Sequence, residues 1–93
     1  MKNLNYKEMG MRIRKARLIK GYTQETFAEL TGISASFVGH IERAEKIPSV
    51  ETLACISRTL EESIDYIVFG NLLPEENLYN DIQSVLQKYQ KQK

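Results

Sequence analysis

Apolar positions recur every three or four residues along almost the whole chain. No four-residue stretch of alternating β-branched and polar residues argues for a strand. The pattern predicts an all-α fold. A first helix is expected over 7–20, with Met9, Ile13, Ala16 and Arg17 on its inward face and Gly21 as a left-handed cap. An arginine on that face needs a partner, because an unpaired buried charge is prohibitively costly. Thr23 N-caps a second helix over 24–31, which Gly32 ends. Ser34 caps a third, which continues to about Arg43 and buries Val38 and Ile41. Only Gly32 and Ile33 separate these two helices, so short a connection that they must meet at a steep angle. After a loop over 44–48, Ser49 caps a fourth helix with Val50, Leu53, Ile56, Ser57 and Leu60 as its inward stripe. Ser63 caps a short fifth over 64–69, closed by Gly70.

Residues 71–74 read as a linker, and Glu75 and Glu76 suit the N-terminus of a further helix. There Leu78, Ile82, Val85, Leu86 and Tyr89 fall at i, i+4, i+7, i+8 and i+11 as one apolar stripe. The stripe needs cover, either by folding back on its own domain or by pairing with the same segment of a second chain. The expected organisation is therefore a domain over 1–70 followed by a linker and amphipathic helix over 71–93.

The net charge of +1 hides an asymmetry. Residues 1–50 carry nine Lys/Arg against five Asp/Glu, whereas residues 51–93 carry four against seven. A basic excess in the half that holds the two closely joined helices suits a nucleic-acid face. The basic run Arg12, Arg14 and Lys15 reads as a solvated helix face. No apolar run is long enough to span a bilayer, and residues 1–5 lack the apolar core of a signal peptide, so a cytoplasmic protein without a membrane partner is expected.

Cys55 has no second cysteine to pair with, and with His40 alone it makes no metal-ligand set. Its neighbours Leu53, Ala54 and Ile56 mark it as a small core or half-buried residue. There is no Ser/His/Asp set, no phosphate-cradling glycine loop and no pair of carboxylates on a stable shared face, so neither catalysis nor a cofactor is expected.

In the two closely joined helices, Ala28 is small where the third helix crosses the second, and Gly32 takes the turn with positive φ. Phe27, Ile33, Val38 and Ile41 fill the wedge between them. Phe37 is expected to pack on its own domain. Ser34, Ala35, Ser36, Gly39, His40 and Arg43 remain as residues the core does not require.

With these residues placed, the chain resembles the Cro/CI-type (XRE-like) helix-turn-helix family of phage and bacterial regulators over about residues 9–70. The matching segments, in order, are Arg12-Ile13-Arg14, Lys20-Gly21-Tyr22-Thr23-Gln24-Glu25, Phe27-Ala28-Glu29-Leu30-Thr31-Gly32-Ile33-Ser34, Ile41-Glu42-Arg43, Pro48-Ser49-Val50-Glu51-Thr52-Leu53 and Ile64-Asp65-Tyr66. The resemblance implies a five-helix lambda-repressor-like helix-turn-helix domain and sequence-specific binding of double-stranded DNA by a transcriptional regulator, with a repressor the expected form. It implies an ion pair between Arg17 and Glu42. It places Ala35, Ser36 and His40 at base-contacting positions, with Gly39 beside them, and Thr23, Gln24, Ser34, Arg43 and Lys46 within reach of phosphates. Because such regulators usually bind two-fold sites as dimers, it makes Leu78, Ile82, Val85, Leu86 and Tyr89 candidates for a homodimer contact.

The chain also departs from a strong base reader. Ala35 offers only a methyl, and Ser36 is an undiscriminating hydrogen bonder. Gly39 either lets the backbone approach DNA closely or marks a face that no longer reads bases. Ala44 and Glu61 stand where relatives often carry glycine, so the loops there are expected to differ. These departures keep open a second reading, a protein-interaction module on the same scaffold that binds a protein partner through 72–89, as an antitoxin or an antagonist of another regulator would.

Overall fold

A short polar side chain precedes each helix and accepts a hydrogen bond from the backbone N–H three residues on. Asn5 Oδ1 accepts from Glu8, Thr23 Oγ1 from Thr26, Ser34 Oγ from Phe37 and Ser63 Oγ from Tyr66, each at 3.0 Å, and Ser49 Oγ from Thr52 at 3.1 Å. Each cap satisfies a donor that the first helical turn leaves without a partner. A computed structural model of the chain describes residues 4–70. The helices that follow these caps are α1 (Tyr6–Ile19), α2 (Gln24–Thr31), α3 (Ala35–Glu42), α4 (Val50–Leu60) and α5 (Ile64–Phe69), with no strand among the described residues. The linker over 71–74 and the stripe of Leu78, Ile82, Val85, Leu86 and Tyr89 lie outside the described residues. None of the described helices is long and apolar enough to cross a membrane.

All five helices contribute to one core. Ile13, Phe27, Val38, Ile41, Ile56, Leu60 and Ile67 are its fully buried large side chains. α3 lies against both α2 and α1, and α5 closes the other end against α1 and α4. Ile33, expected in the wedge between α2 and α3, and Phe37, expected to pack on its own domain, both pack on the edge of this core. The Thr31 hydroxyl, although buried, donates to the Phe27 carbonyl at 2.7 Å and leaves no unsatisfied group.

Several expectations need correction. α1 begins at Tyr6, one residue earlier than the pattern suggested, because Asn5 supplies the cap. Val50 is 81% exposed, not inward. It is the first residue of α4, and the core lies further along the helix at Ile56 and Leu60. Cys55 is exposed, because it falls beside that narrow buried stripe and not within it.

Ala44 and Glu61 each stand at a helix end. Both residues adopt the left-handed conformation, with φ of 61° and 56°. After Ala44 the chain closes α3 by Ala44 N–H to Ile41 at 3.0 Å and Glu45 N–H to His40 at 2.8 Å. Gly21 closes α1 in the same way, with Gly21 N–H to Leu18 at 3.0 Å and Tyr22 N–H to Arg17 at 3.1 Å. These paired closures satisfy the last carbonyls and are strong enough to hold a side-chain-bearing residue at positive φ. A non-glycine residue there costs roughly 1–2 kcal/mol, against about 0.4–1 kcal/mol lost when glycine loosens the unfolded chain. Ala44→Gly and Glu61→Gly are each expected to stabilise the domain by about 0.5–1 kcal/mol in urea denaturation. A lowered midpoint for both would show that the left-handed geometry is not strained.

Candidate nucleic-acid interface

The turn between α2 and α3 fixes the presentation of α3. Gly32 takes φ 76°, its N–H and that of Ile33 both donate to the Ala28 carbonyl, at 2.9 and 3.1 Å, and Ser34 then opens α3. A second constraint comes from the scaffold. Arg17 Nε donates to Glu42 Oε2 at 2.6 Å and its Nη2 to Oε1 at 3.1 Å, with the two side chains 6% and 2% exposed. Arg17 Nη1 also donates to the Tyr22 carbonyl at 2.8 Å. The guanidinium therefore joins α1, the loop after it and the last turn of α3. A bidentate pair of this kind sets angle as well as distance.

Gln24 belongs to the same network. Its Nε2 donates to Glu42 Oε1 at 3.2 Å, so the half-buried residue that the resemblance aims at phosphate also braces the start of α2 against the end of α3. Thr23 and Ser34, the exposed caps of α2 and α3, present hydroxyls beside the N–H groups of two helix N-termini, a favourable arrangement for an anionic oxygen.

Along α3 the surface residues divide. Ser36 is exposed and His40 half-buried, and their side chains meet across one helical turn, Ser36 Oγ to His40 Nε2, at 3.4 Å. Ala35 is half-buried and packs on the core edge, which leaves little of it beyond the helix surface. Gly39 is buried. A Cβ placed on it would come within 2.9 Å of Arg43 Nη1, so the missing side chain is the space in which the Arg43 guanidinium lies along the helix. Lys46 is exposed in the loop that follows.

Glu45, which the sequence pattern did not single out, closes this edge. Its Oε1 takes a 2.7 Å contact from His40 Nδ1, accepts from Arg43 Nε at 3.1 Å and lies 3.1 Å from Arg43 Nη2. The Arg43 hydrogen bond, followed by that from His40, holds the Glu45 carboxyl below the usual carboxylate range. It therefore stays ionised well into acid, and the clamp is lost only as pH falls through that lowered value. One carboxylate thus occupies the place of an anionic oxygen between the two groups at the C-terminal end of α3. Its position depends on the left-handed turn at Ala44, which brings the chain back toward His40. Arg12, Arg14 and Lys15 sit apart from this edge, on α1 beside Tyr66 and Phe69 of α5.

Among the described residues no group of three His, Cys, Asp or Glu side chains is placed to hold a metal ion. The family model described as helix-turn-helix matches residues 13–67. Over 56 residues the chain is 46% identical to the uncharacterized HTH-type transcriptional regulator YazB of Bacillus subtilis strain 168, covering 60% of this chain and 81% of that protein. Among solved structures, the P22 c2 repressor of Salmonella phage P22 in complex with a synthetic operator superposes with a TM-score of 0.66 at 33% identity, covering 68% of this chain and 96% of that one. The biofilm master regulator SinR of Bacillus subtilis in complex with DNA superposes with a TM-score of 0.61 at 33% identity, covering 63% of this chain and 95% of that one.

Proposed function

This chain belongs to the helix-turn-helix family, and from that premise we propose that it is a sequence-specific double-stranded DNA-binding transcriptional regulator that represses by occupancy, with α3 in the major groove. The observation that carries the reading is the exposed edge of α3. Ser36, His40 and Arg43 line one side of a short helix whose angle is fixed by the Arg17–Glu42 pair and whose start carries the Ser34 hydroxyl, with the Thr23 hydroxyl at the start of α2. A reader of base edges needs that combination of few reaching side chains and a rigid mount. The likeness to a repressor solved with its operator and a regulator solved with DNA, each at 33% identity, supports the same role.

The roles separate by chemistry. Ser36 and His40 reach base edges, while Thr23, Ser34, Arg43 and Lys46 bind phosphates and set the register. Ala35 contributes at most a methyl contact, and Gly39 acts by giving Arg43 room. Selection of bound sites from a random duplex library at near-physiological salt is expected to enrich a motif, two-fold symmetric when two chains bind together. Ser36→Ala with His40→Ala is expected to alter the preferred bases at about 1–3 kcal/mol per lost contact, whereas Arg43→Glu weakens binding to every sequence alike. A folded protein that enriches no motif would sink the reading.

Glu45 supplies a separate prediction. On DNA its carboxylate competes with phosphate for Arg43 and is itself repelled by the backbone. Glu45→Gln is expected to raise affinity for any duplex by about 3- to 10-fold and to steepen the salt dependence, since another cation becomes available to displace counterions. Equal affinities for the two proteins across a salt series would place Arg43 away from the phosphates.

A further inference from the structure

A groove of about 850 Å³ runs between α1 and α5, and no residue of α2 or α3 lines it. Its floor is apolar and open. Met11 is 60%, Leu18 54% and Ile19 76% exposed, with Tyr66 and Phe69 forming the opposite wall. Three neighbouring exposed aliphatic side chains of one helix make the kind of patch that soluble domains cover. The rim is basic, with Arg12, Arg14 and Lys15 against Glu8 alone. Arg12 is largely buried, and its Nη1 has no hydrogen-bond partner among the described residues, although a cationic N–H out of water requires one.

We infer that the segment 75–89 of the same chain docks in this groove as an amphipathic helix, with its acidic first turns against the Arg12, Arg14 and Lys15 rim. Five considerations select this occupant. The chain leaves the described domain at Gly70, which itself lines the groove and lies so close to Arg12 that an added Cβ would come within 2.8 Å of Nη2. Residues 71–74 extend to about 13 Å, enough to reach either end of the groove but not to pass far beyond it.

The charges are complementary. From 71 to 87 the segment carries Glu75, Glu76 and Asp81 and no lysine or arginine, so a carboxylate is available for Arg12 Nη1. The lengths agree as well. The stripe from Leu78 to Tyr89 covers eleven residue steps, and so does the groove-lining side of α1 from Glu8 to Ile19, about 16 Å in each case. A linker this short also gives the tethered segment an effective concentration in the millimolar range, which favours it over the same segment of a second copy. Docking there leaves the α3 edge open.

Paramagnetic broadening tests the assignment in the full chain. In a Cys55→Ser background, which removes the exposed native thiol, Ser84→Cys places a nitroxide on the polar side of the expected helix. When isotope and spin label are in the same molecule, loss of the amide signals of residues 11–19 and 66–69 is expected, with those of α2 retained. In an equimolar mixture of isotope-labelled and spin-labelled molecules, no loss is expected. Ile19→Glu, at a position exposed enough to leave the fold intact, should restore the lost signals. Broadening that appears in the mixture would assign the groove to a second copy and overturn the proposal, as would full retention of the signals of residues 11–19 in the doubly labelled molecule.

Discussion

Glu42→Ala is expected to cost about 3–5 kcal/mol, because it leaves the Arg17 guanidinium buried and without its carboxylate. A domain of this size has roughly 3–10 kcal/mol to lose, so the variant should be largely unfolded or melt far below the parent. Gln24 would lose its acceptor on the same carboxylate, which adds to the effect. Arg17→Met should act in the same direction for the opposite reason, by leaving Glu42 with only the weaker Gln24 contact. The informative variant is the double one. Arg17→Met with Glu42→Leu removes both charges and fills the site with apolar volume, and it is expected to recover most of the lost stability in urea denaturation. What the double variant should not recover is angular definition, since nothing directional then joins α1 to the end of α3. Restored stability together with weaker, less selective DNA binding would assign the pair to the mounting of α3. Single variants that unfold at the parental midpoint would show that neither charge is desolvated.

The features that were legible in the sequence are those governed by local rules. Thr23, Ser34, Ser49 and Ser63 announce helix starts because a short hydroxyl can reach a free N–H three residues on, and each does so in the structure. Gly21 and Gly32 announce helix ends because positive φ is easiest for glycine, and both adopt it. Helical periodicity turned Arg17 inward, and a buried arginine demands an acid, although only the resemblance pointed to Glu42. The features that were not legible depend on which way a turn carries the chain and on where along a helix its neighbours stop. Ala44 and Glu61 read as departures from a glycine pattern, yet the closing hydrogen bonds impose the left-handed turn on them. Glu45 read as an ordinary loop acid. It becomes part of the edge only because the turn at Ala44 swings it back to His40 and Arg43. Val50 belongs to an inward stripe by period, but period carries no information on where along a helix its neighbours stop.

Gly10 is the clearest case of a residue whose reason lies elsewhere in the chain. Within a helix a glycine reads as a defect, since alanine at the same place would favour the helix by up to about 1 kcal/mol. In the fold Gly10 is buried on α1, and a Cβ there would come within 2.6 Å of both the Ile41 and the Glu42 carbonyl oxygens. These are backbone atoms of the last turn of α3, and no rotamer change can move them aside. Relieving the clash requires α1 and α3 to part by several tenths of an ångström, and the Arg17–Glu42 hydrogen bonds span the same gap. Overpacking of this kind typically costs 1–3 kcal/mol and occasionally more, and the helix gain offsets only part of it. Gly10→Ala is therefore expected to destabilise the domain by about 2 kcal/mol, read from the urea midpoint. The displacement falls on α3, so binding to a selected site should weaken by about 10-fold or more even under conditions where the variant is fully folded, while Met11→Ala, at an exposed neighbour outside this contact, leaves it unchanged. If Gly10→Ala raises the midpoint and keeps the affinity, the approach of α1 to α3 is not tight, and the mount of the recognition helix rests on the ion pair alone.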